Sequence, residues 1–315
     1  MRRALAGTGL AILALGLAPA ENAGANSISS IVLDDKGRLV FSDYVRNRIW
    51  KSESPGRATA HIANKHTHHL ALAPNGELYG EHATPEGDAA SLWKRDTEGN
   101  LTEISPPARR GESVGYEGSV FTIDGGGAIH FVRECQIVRL APQGRSAPWA
   151  GKNCGAEAWK DAALRYGHLH GSLAWGPGGV LYFSDARTIR RVSPAGSVST
   201  LDGSPAMLFG EPRTGEPVFE RLMGLALDPQ GNIYTADRGD RSVRRIAPDG
   251  TTSLLARLPA FWTPVGLTYS RGAAYILAEP RLPSPRLTSG VVGSPRVLKL
   301  APDGKLTTVA VARGR

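Results

Sequence analysis

Six times along this chain, a turn glycine follows an aliphatic residue by seven positions and a basic residue by five. The glycines are Gly56, Gly99, Gly144, Gly196, Gly250 and Gly304. The aliphatic residues are Ile49, Leu92, Ile137, Ile189, Val243 and Val297, and the bases are Lys51, Lys94, Arg139, Arg191, Arg245 and Lys299. A unit recurring every 40–55 residues or so restricts the fold to architectures in which similar copies stack on one another. The bases are read as structural, with stems laid over apolar surface and heads in water.

The fullest copy, residues 223–250, shows what the unit is. A short apolar run ends at Asp228-Pro229-Gln230-Gly231, a β-rich run ends on Asp237, and a third ends at Pro248-Asp249-Gly250. Turn residues between short β-rich runs are hairpin signals, because proline presets the turn and glycine supplies the left-handed positions. The first turn recurs at Gly37, Gly76, Gly127, Gly179 and Gly272, the last being the weakest match. A fourth run follows each second turn. Each unit thus offers four strands, A to D, and the chain reads as all-β, a six-bladed β-propeller of four-stranded antiparallel blades. The blades fall near 28–62, 67–105, 116–150, 170–202, 222–257 and 263–312. The first copy begins on strand A and the last ends on strand D, so the ring is expected to close by packing blade 1 on blade 6 without an exchanged strand.

The run Gly224-Leu225-Ala226-Leu227-Asp228-Pro229, then Gly231-Asn232-Ile233-Tyr234 and Ala236-Asp237, resembles the NHL repeat. Phe41-Ser42-Asp43 and Phe183-Ser184-Asp185 match it in part, while blades 2, 3 and 6 are degenerate. The resemblance implies a six-bladed fold and says little about function, because such propellers include enzymes, binding modules and scaffolds. Gluconolactonase-like propellers, related to senescence marker protein, use an early glutamate around a central metal. The early strand here, residues 27–31, has none, which argues against a lactonase of that kind. The amidating lyases are similar in kind, with a histidine-bound zinc on one face, but no catalytic role carries over residue by residue.

At the N-terminus, Arg2 and Arg3 precede an apolar run over 4–17 and then Ala18-Pro19-Ala20. This is the pattern of a signal peptide over 1–20, leaving 21–315 as a single propeller exported to the periplasm or cell exterior. No later stretch reaches transmembrane length. Without Arg2 and Arg3 the formal charge falls from +8 to about +6, with no dense basic cluster carrying interleaved aromatics. Nucleic acid is therefore excluded as a partner. A monomer is expected. In an exported chain Cys135 and Cys154 are expected to form a disulfide, closing a loop of about 20 residues and contributing about 3 kcal/mol in the chain-entropy model.

The A–B and C–D turns vary little in length, whereas the D–A and B–C connections vary greatly. The long ones are 102–115, 150–167 and 202–221 (D–A) and 82–91 and 280–295 (B–C). The last is proline-rich and reads either as a semi-rigid flap or as a surface loop. Both sets lie on one face, here called the top, where a rigid scaffold carries its variable loops.

All eight histidines fall between His61 and His170. His66, His68 and His69 precede strand A of blade 2, His168 and His170 stand at the matching place in blade 4, and Tyr116-Glu117 in blade 3. Strand A is innermost, so its upper end lines the central mouth. Imidazoles, a carboxylate and a phenol converging there suit zinc or calcium, or general acid–base chemistry, with His68, Glu117 and His170 as catalytic or metal-binding candidates. His82 is placed to join from above, and His61 and His130 are read as structural. Asp43, Asp185 and Asp237 end strand B in three blades and are read as turn caps with a local ion pair. Trp50 and Trp93 are assigned to interblade packing and Trp175 to the core, while Trp149, Trp159 and Trp262 are candidates for stacking on a ligand.

The leading expectation is a binding protein that takes a small polar ligand, peptide or glycan at the top mouth. The alternatives are a metal-assisted lyase or hydrolase using the same residues, and a scaffold that binds a protein partner on the top face.

Overall fold

The structure is a computed structural model, and it describes residues 30–34, 36–54, 56–83, 89–109, 120–133, 136–151, 172–185, 188–201, 222–280 and 293–312. Among these residues, six antiparallel sheets of four consecutive strands each form the blades of a propeller ring. The sheets span 31–63, 70–109, 121–151, 173–200, 222–257 and 262–311.

The turn chemistry builds the blades. In blade 5, Asp228 Oδ1 accepts from the backbone N–H groups of Gln230 and Asn232 at 3.0 and 2.8 Å. Gly231 closes the turn at φ 82°, and Gly250 closes the second at φ 85°, a region costly for any residue with a Cβ. Blade 6 departs from this form. Its strands A (Trp262–Ser270) and B (Ala273–Pro280) pair as far as Ser270 and Ala273. Only Arg271 and Gly272 are left to turn, both at positive φ. The motif matches poorly there because the turn is a tighter one.

Stacking explains the periodic aliphatic position. Ile49, Leu92, Ile137, Ile189, Val243 and Val297 are each at most 1% exposed, so all six lie in the walls between blades. Trp93 packs against Val40, Ile49 and Ile62 of blade 1. Trp50 packs against Val265, Leu277 and Val297 of blade 6. Arg191 and Arg245 are exposed as the sequence suggests, while three of the bases are paired. Lys51, Lys94 and Arg139 reach carboxylates of the first turns, Asp34 at 3.0 Å, Glu77 at 2.8 Å and Asp124 at 3.4 Å. Each ties strand C to the A–B turn of its own blade.

The ring closes between blades 1 and 6. Ile31, Leu39 and Phe41 share a cluster with Leu277, Val297 and Ala310. The Gly56 N–H donates to the Val309 carbonyl at 2.8 Å, and Ala58 forms a parallel bridge with Ala312. No described strand is exchanged between blades.

Blade 2 is taller than the loop pattern implies. Strand D runs over Leu101–Arg109, and strands B and C reach Ala83 and begin at Ala89. Much of what reads as connection in 102–115 and 82–91 is paired strand, with register shifts between Ala90 and Trp93 that bend the sheet. The inner strands of all six blades surround a central channel of about 430 Å³. No helix of the described residues is long and apolar enough to cross a membrane.

Candidate functional site

Strand A must be anchored at its upper end, and one position near the end of strand B does this in several blades. In blade 1 the Ser42 hydroxyl accepts from the Ser30 N–H at 2.8 Å, and in blade 4 the Ser184 hydroxyl accepts from the Ser172 N–H at 2.9 Å. Strand pairing puts Glu81 at the same place in blade 2, since Ser42, Glu81 and Ser184 face Ile49, Leu92 and Ile189. Glu81 is fully buried. Its carboxylate accepts from the His69 N–H at 3.0 and 2.9 Å and also from the His68 N–H. Its backbone carbonyl accepts from the Thr67 hydroxyl at 2.8 Å and from Trp93 Nε1 at 2.9 Å. A carboxylate taking two backbone donors is a strong, charge-assisted anchor. It fixes the segment that carries the histidines.

On this base His66 and His68 meet, with Nε2 atoms 3.0 Å apart. His66 Nδ1 lies 2.8 Å from Asn47 Oδ1. As an N–H donor to that carbonyl oxygen, Nδ1 leaves Nε2 of His66 as acceptor and Nε2 of His68 as donor. The Tyr44 ring stacks on His68 at 5.0 Å and meets His66 edge-on at 5.9 Å. Tyr44 and Asn47 belong to blade 1, where a 3₁₀ turn, Tyr44–Arg46, is capped by Asp43 and followed by Asn47 in the left-handed region. His82 Nδ1 accepts from the His66 N–H at 3.1 Å. Burial, with Lys65 and His66 nearby, holds His82 below the ordinary histidine range.

His69 goes elsewhere. It lines the central channel together with the strand A residues of the other blades. The three histidines ahead of strand A in blade 2 therefore divide: His66 and His68 close the seam between blades 1 and 2, and His69 marks the channel wall. Tyr116, Glu117, His168 and His170 lie outside the described residues, as do Cys135 and Cys154, residues 1–29 and most of the proline-rich loop. Among the described residues, no three His, Cys, Asp or Glu side chains are grouped to hold a metal ion.

Asp43 is a cap as the repeat suggests, accepting from the Arg46 N–H and guanidinium and, at 3.2 Å, from Trp50 Nε1. Asp237 likewise accepts from the Gly239 N–H at 2.9 Å. Trp149 is partly buried. It packs with Trp175 around buried His130, whose Nε2 lies 3.0 Å from Asp124 Oδ2. Burial pushes His130 below its ordinary range, against the opposing pull of Asp124. Trp262 carries the Arg296 guanidinium 3.3 Å from its ring centroid, and Trp159 lies outside the described residues.

Glu81, Tyr44 and Asn47 are the residues that sequence reasoning missed. The signal for Glu81 is a departure from the repeat, glutamate where blades 1 and 4 have serine.

No protein-family model matches the sequence, and no curated protein matches it. Solved structures do. Virginiamycin B lyase from Staphylococcus aureus is 12% identical, with a TM-score of 0.55, covering 93% of this chain and 87% of its own. A gluconolactonase from Xanthomonas campestris is 15% identical, with a TM-score of 0.54, covering 79% and 82%. An auxiliary nutrient binding protein from Bacteroides thetaiotaomicron is 11% identical, with a TM-score of 0.57, covering 80% and 67%. Likeness at these identities establishes the propeller fold alone.

Proposed function

We propose that the chain is an exported binding protein that takes a small polar ligand, a peptide or a glycan at the top mouth of its channel. The observation that supports this most directly is the imidazole array seated on Glu81, beside a channel whose wall includes His69. The array is held in place by the buried Glu81 carboxylate and by Tyr44, Asn47 and His82, so little ordering entropy is lost when a ligand binds. His66, His68 and His69 supply donors and acceptors, and Tyr116, Glu117, His168 and His170 are the residues expected to complete the mouth. The nutrient binding protein of similar fold is consistent with this use of the scaffold.

The test is a calorimetric screen of dipeptides and mono- and disaccharides against the full chain, followed by His69→Ala and His68→Ala. The expected result is a ligand whose affinity falls in both variants while the unfolding temperature without ligand is kept. Binding that is indifferent to both substitutions, or no binding across the panel, overturns the reading.

One observation favours a second reading, metal-assisted lyase or hydrolase chemistry. Two imidazole nitrogens bound to one tetrahedral zinc at about 2.0–2.1 Å stand about 3.3 Å apart, close to the 3.0 Å between His66 and His68 Nε2. Asn47 already orients one ring through its far nitrogen, as second-shell partners do. A third protein ligand has to come from outside the described residues. Elemental analysis decides: about one ion per chain, lost in His68→Ala, supports this reading, and a metal-free protein indifferent to chelator and to added zinc removes it.

A further inference from the structure

At the bottom face the tight turn of blade 6 leaves a hollow between blades 4, 5 and 6, a cavity of about 610 Å³. That is within the size range of small-molecule sites. Trp175, Tyr269, Pro177 and Pro229 form apolar walls, and Gln230 and Arg271 supply polar groups. The aromatic walls are held from behind. Tyr269 stacks on Tyr234 at 4.6 Å and 23°, and the Tyr234 hydroxyl donates to Asp228 at 3.2 Å. Trp175 is braced edge-on by His130 at 5.0 Å.

Arg271 is the cation of this hollow. The first turns of blades 1, 3 and 5 carry Asp34, Asp124 and Asp228 three residues before the glycine, where blade 6 has Tyr269, and Arg271 stands one residue before it, as Lys36 does in blade 1. Those acids are engaged within their own blades, Asp34 by Lys51 and Arg38, Asp124 by His130 and Asp228 by Asn232 and Tyr234. Arg271 has no hydrogen bond or ion pair among the described residues. It also holds a left-handed φ of 49°, in a two-residue turn that asparagine or glycine suits better. Arg271 is exposed, and its guanidinium leans toward blade 1. It lies over the bare backbone of Gly37 in blade 1, with Nη2 2.8 Å from where a Cβ would stand. Arg271, with no partner among the described residues, thus lines the same hollow as the two braced aromatic rings.

We propose that this bottom mouth is a second binding site, for a small carboxylate carried on a ring, with Arg271 taking the carboxylate and Tyr269 and Trp175 flanking the ring. A guanidinium pairs bidentately with a carboxylate, and both aromatic and sugar rings pack on aromatic faces. The site shares Leu227, Tyr269 and Ser270 with the wall of the central channel.

Calorimetric titration of the full chain tests it with four probes: benzoate and glucuronate, and their neutral counterparts benzyl alcohol and glucose. The expected result is that at least one acid binds, its neutral counterpart does not, and Arg271→Asn weakens the acid about tenfold or more. Asparagine is comfortable in the left-handed turn, so this variant keeps the fold. Benzoate alone identifies an aromatic acid as the ligand class, and glucuronate alone a sugar acid. His68→Ala leaves the affinity unchanged if the site is at the bottom. Equal affinity in Arg271→Asn, equal binding of the neutral probes, loss of binding in His68→Ala, or no acid binding at millimolar concentration each overturns the proposal.

Discussion

The Nε2 atoms of His66 and His68 face each other at 3.0 Å, a distance that accommodates one proton between them. With His66 Nδ1 donating to Asn47 Oδ1, the shared proton belongs to His68. Nitrogen-detected NMR of the metal-free protein is expected to show His66 as the Nδ1–H tautomer and His68 as the Nε2–H tautomer. Asn47→Ala should abolish this preference at His66. Identical tautomers in both rings contradict the arrangement.

Glu81 answers two buried backbone donors at once. Glu81→Ala leaves both without a partner and is expected to cost about 2–4 kcal/mol. Glu81→Ser restores one acceptor, as serine provides in blades 1 and 4, and should recover part of that loss. Urea unfolding curves measure both, and an alanine variant as stable as the parent would refute the anchor.

Gly80 lies under the Trp93 ring, with Trp93 Cζ2 where its Cβ would have to stand. Gly80→Ala must displace a fully buried indole that packs blade 2 on blade 1. A destabilisation of about 1–3 kcal/mol is expected from overpacking, together with a shift in tryptophan emission. An unchanged unfolding midpoint and unchanged emission would show that the ring moves freely.

Acid should weaken the fold through histidine. Burial, with Arg95, Lys51 and Arg38 nearby, lowers His61 from 6.5 to about 4, and His82 and His130 are lowered as well. A histidine whose folded pKa is depressed binds more protons unfolded than folded between the two values. Its contribution is therefore fully present above about pH 6.5 and is lost as pH falls toward 4. Unfolding midpoints at pH 7.5 and 4.5 should differ less in His61→Gln than in the parent. An equal difference in both would exclude His61 as a source.

The propeller is legible in the chain because stacking imposes one demand six times. Ile49 and its five counterparts must all be buried, so their spacing survives where turn residues drift. Blade 6 obscures the pattern only at its first turn, where Arg271-Gly272 replaces a longer acidic turn. The candidate site is less legible because it depends on contacts across a seam. Tyr44 and Asn47 sit in a different blade from His66 and His68, and no periodicity links them. Glu81 is visible only as a carboxylate where blades 1 and 4 have serine and blades 3, 5 and 6 have Val132, Ala236 and Leu277, and its meaning comes from the amides it faces. His66 and His68 meet in the approach to strand A, ahead of Leu70–Leu72.

Because blades 1 and 6 meet through side-chain packing, the Gly56–Val309 and Arg46–Gly293 hydrogen bonds and one bridge, with no exchanged strand among the described residues, the seam where the chain opens holds by packing as the other seams do. Circular permutation follows: a chain joined from 312 to 30 by a linker and opened at another D–A connection would keep every sheet whole. Its stability should track the linker rather than the site of opening.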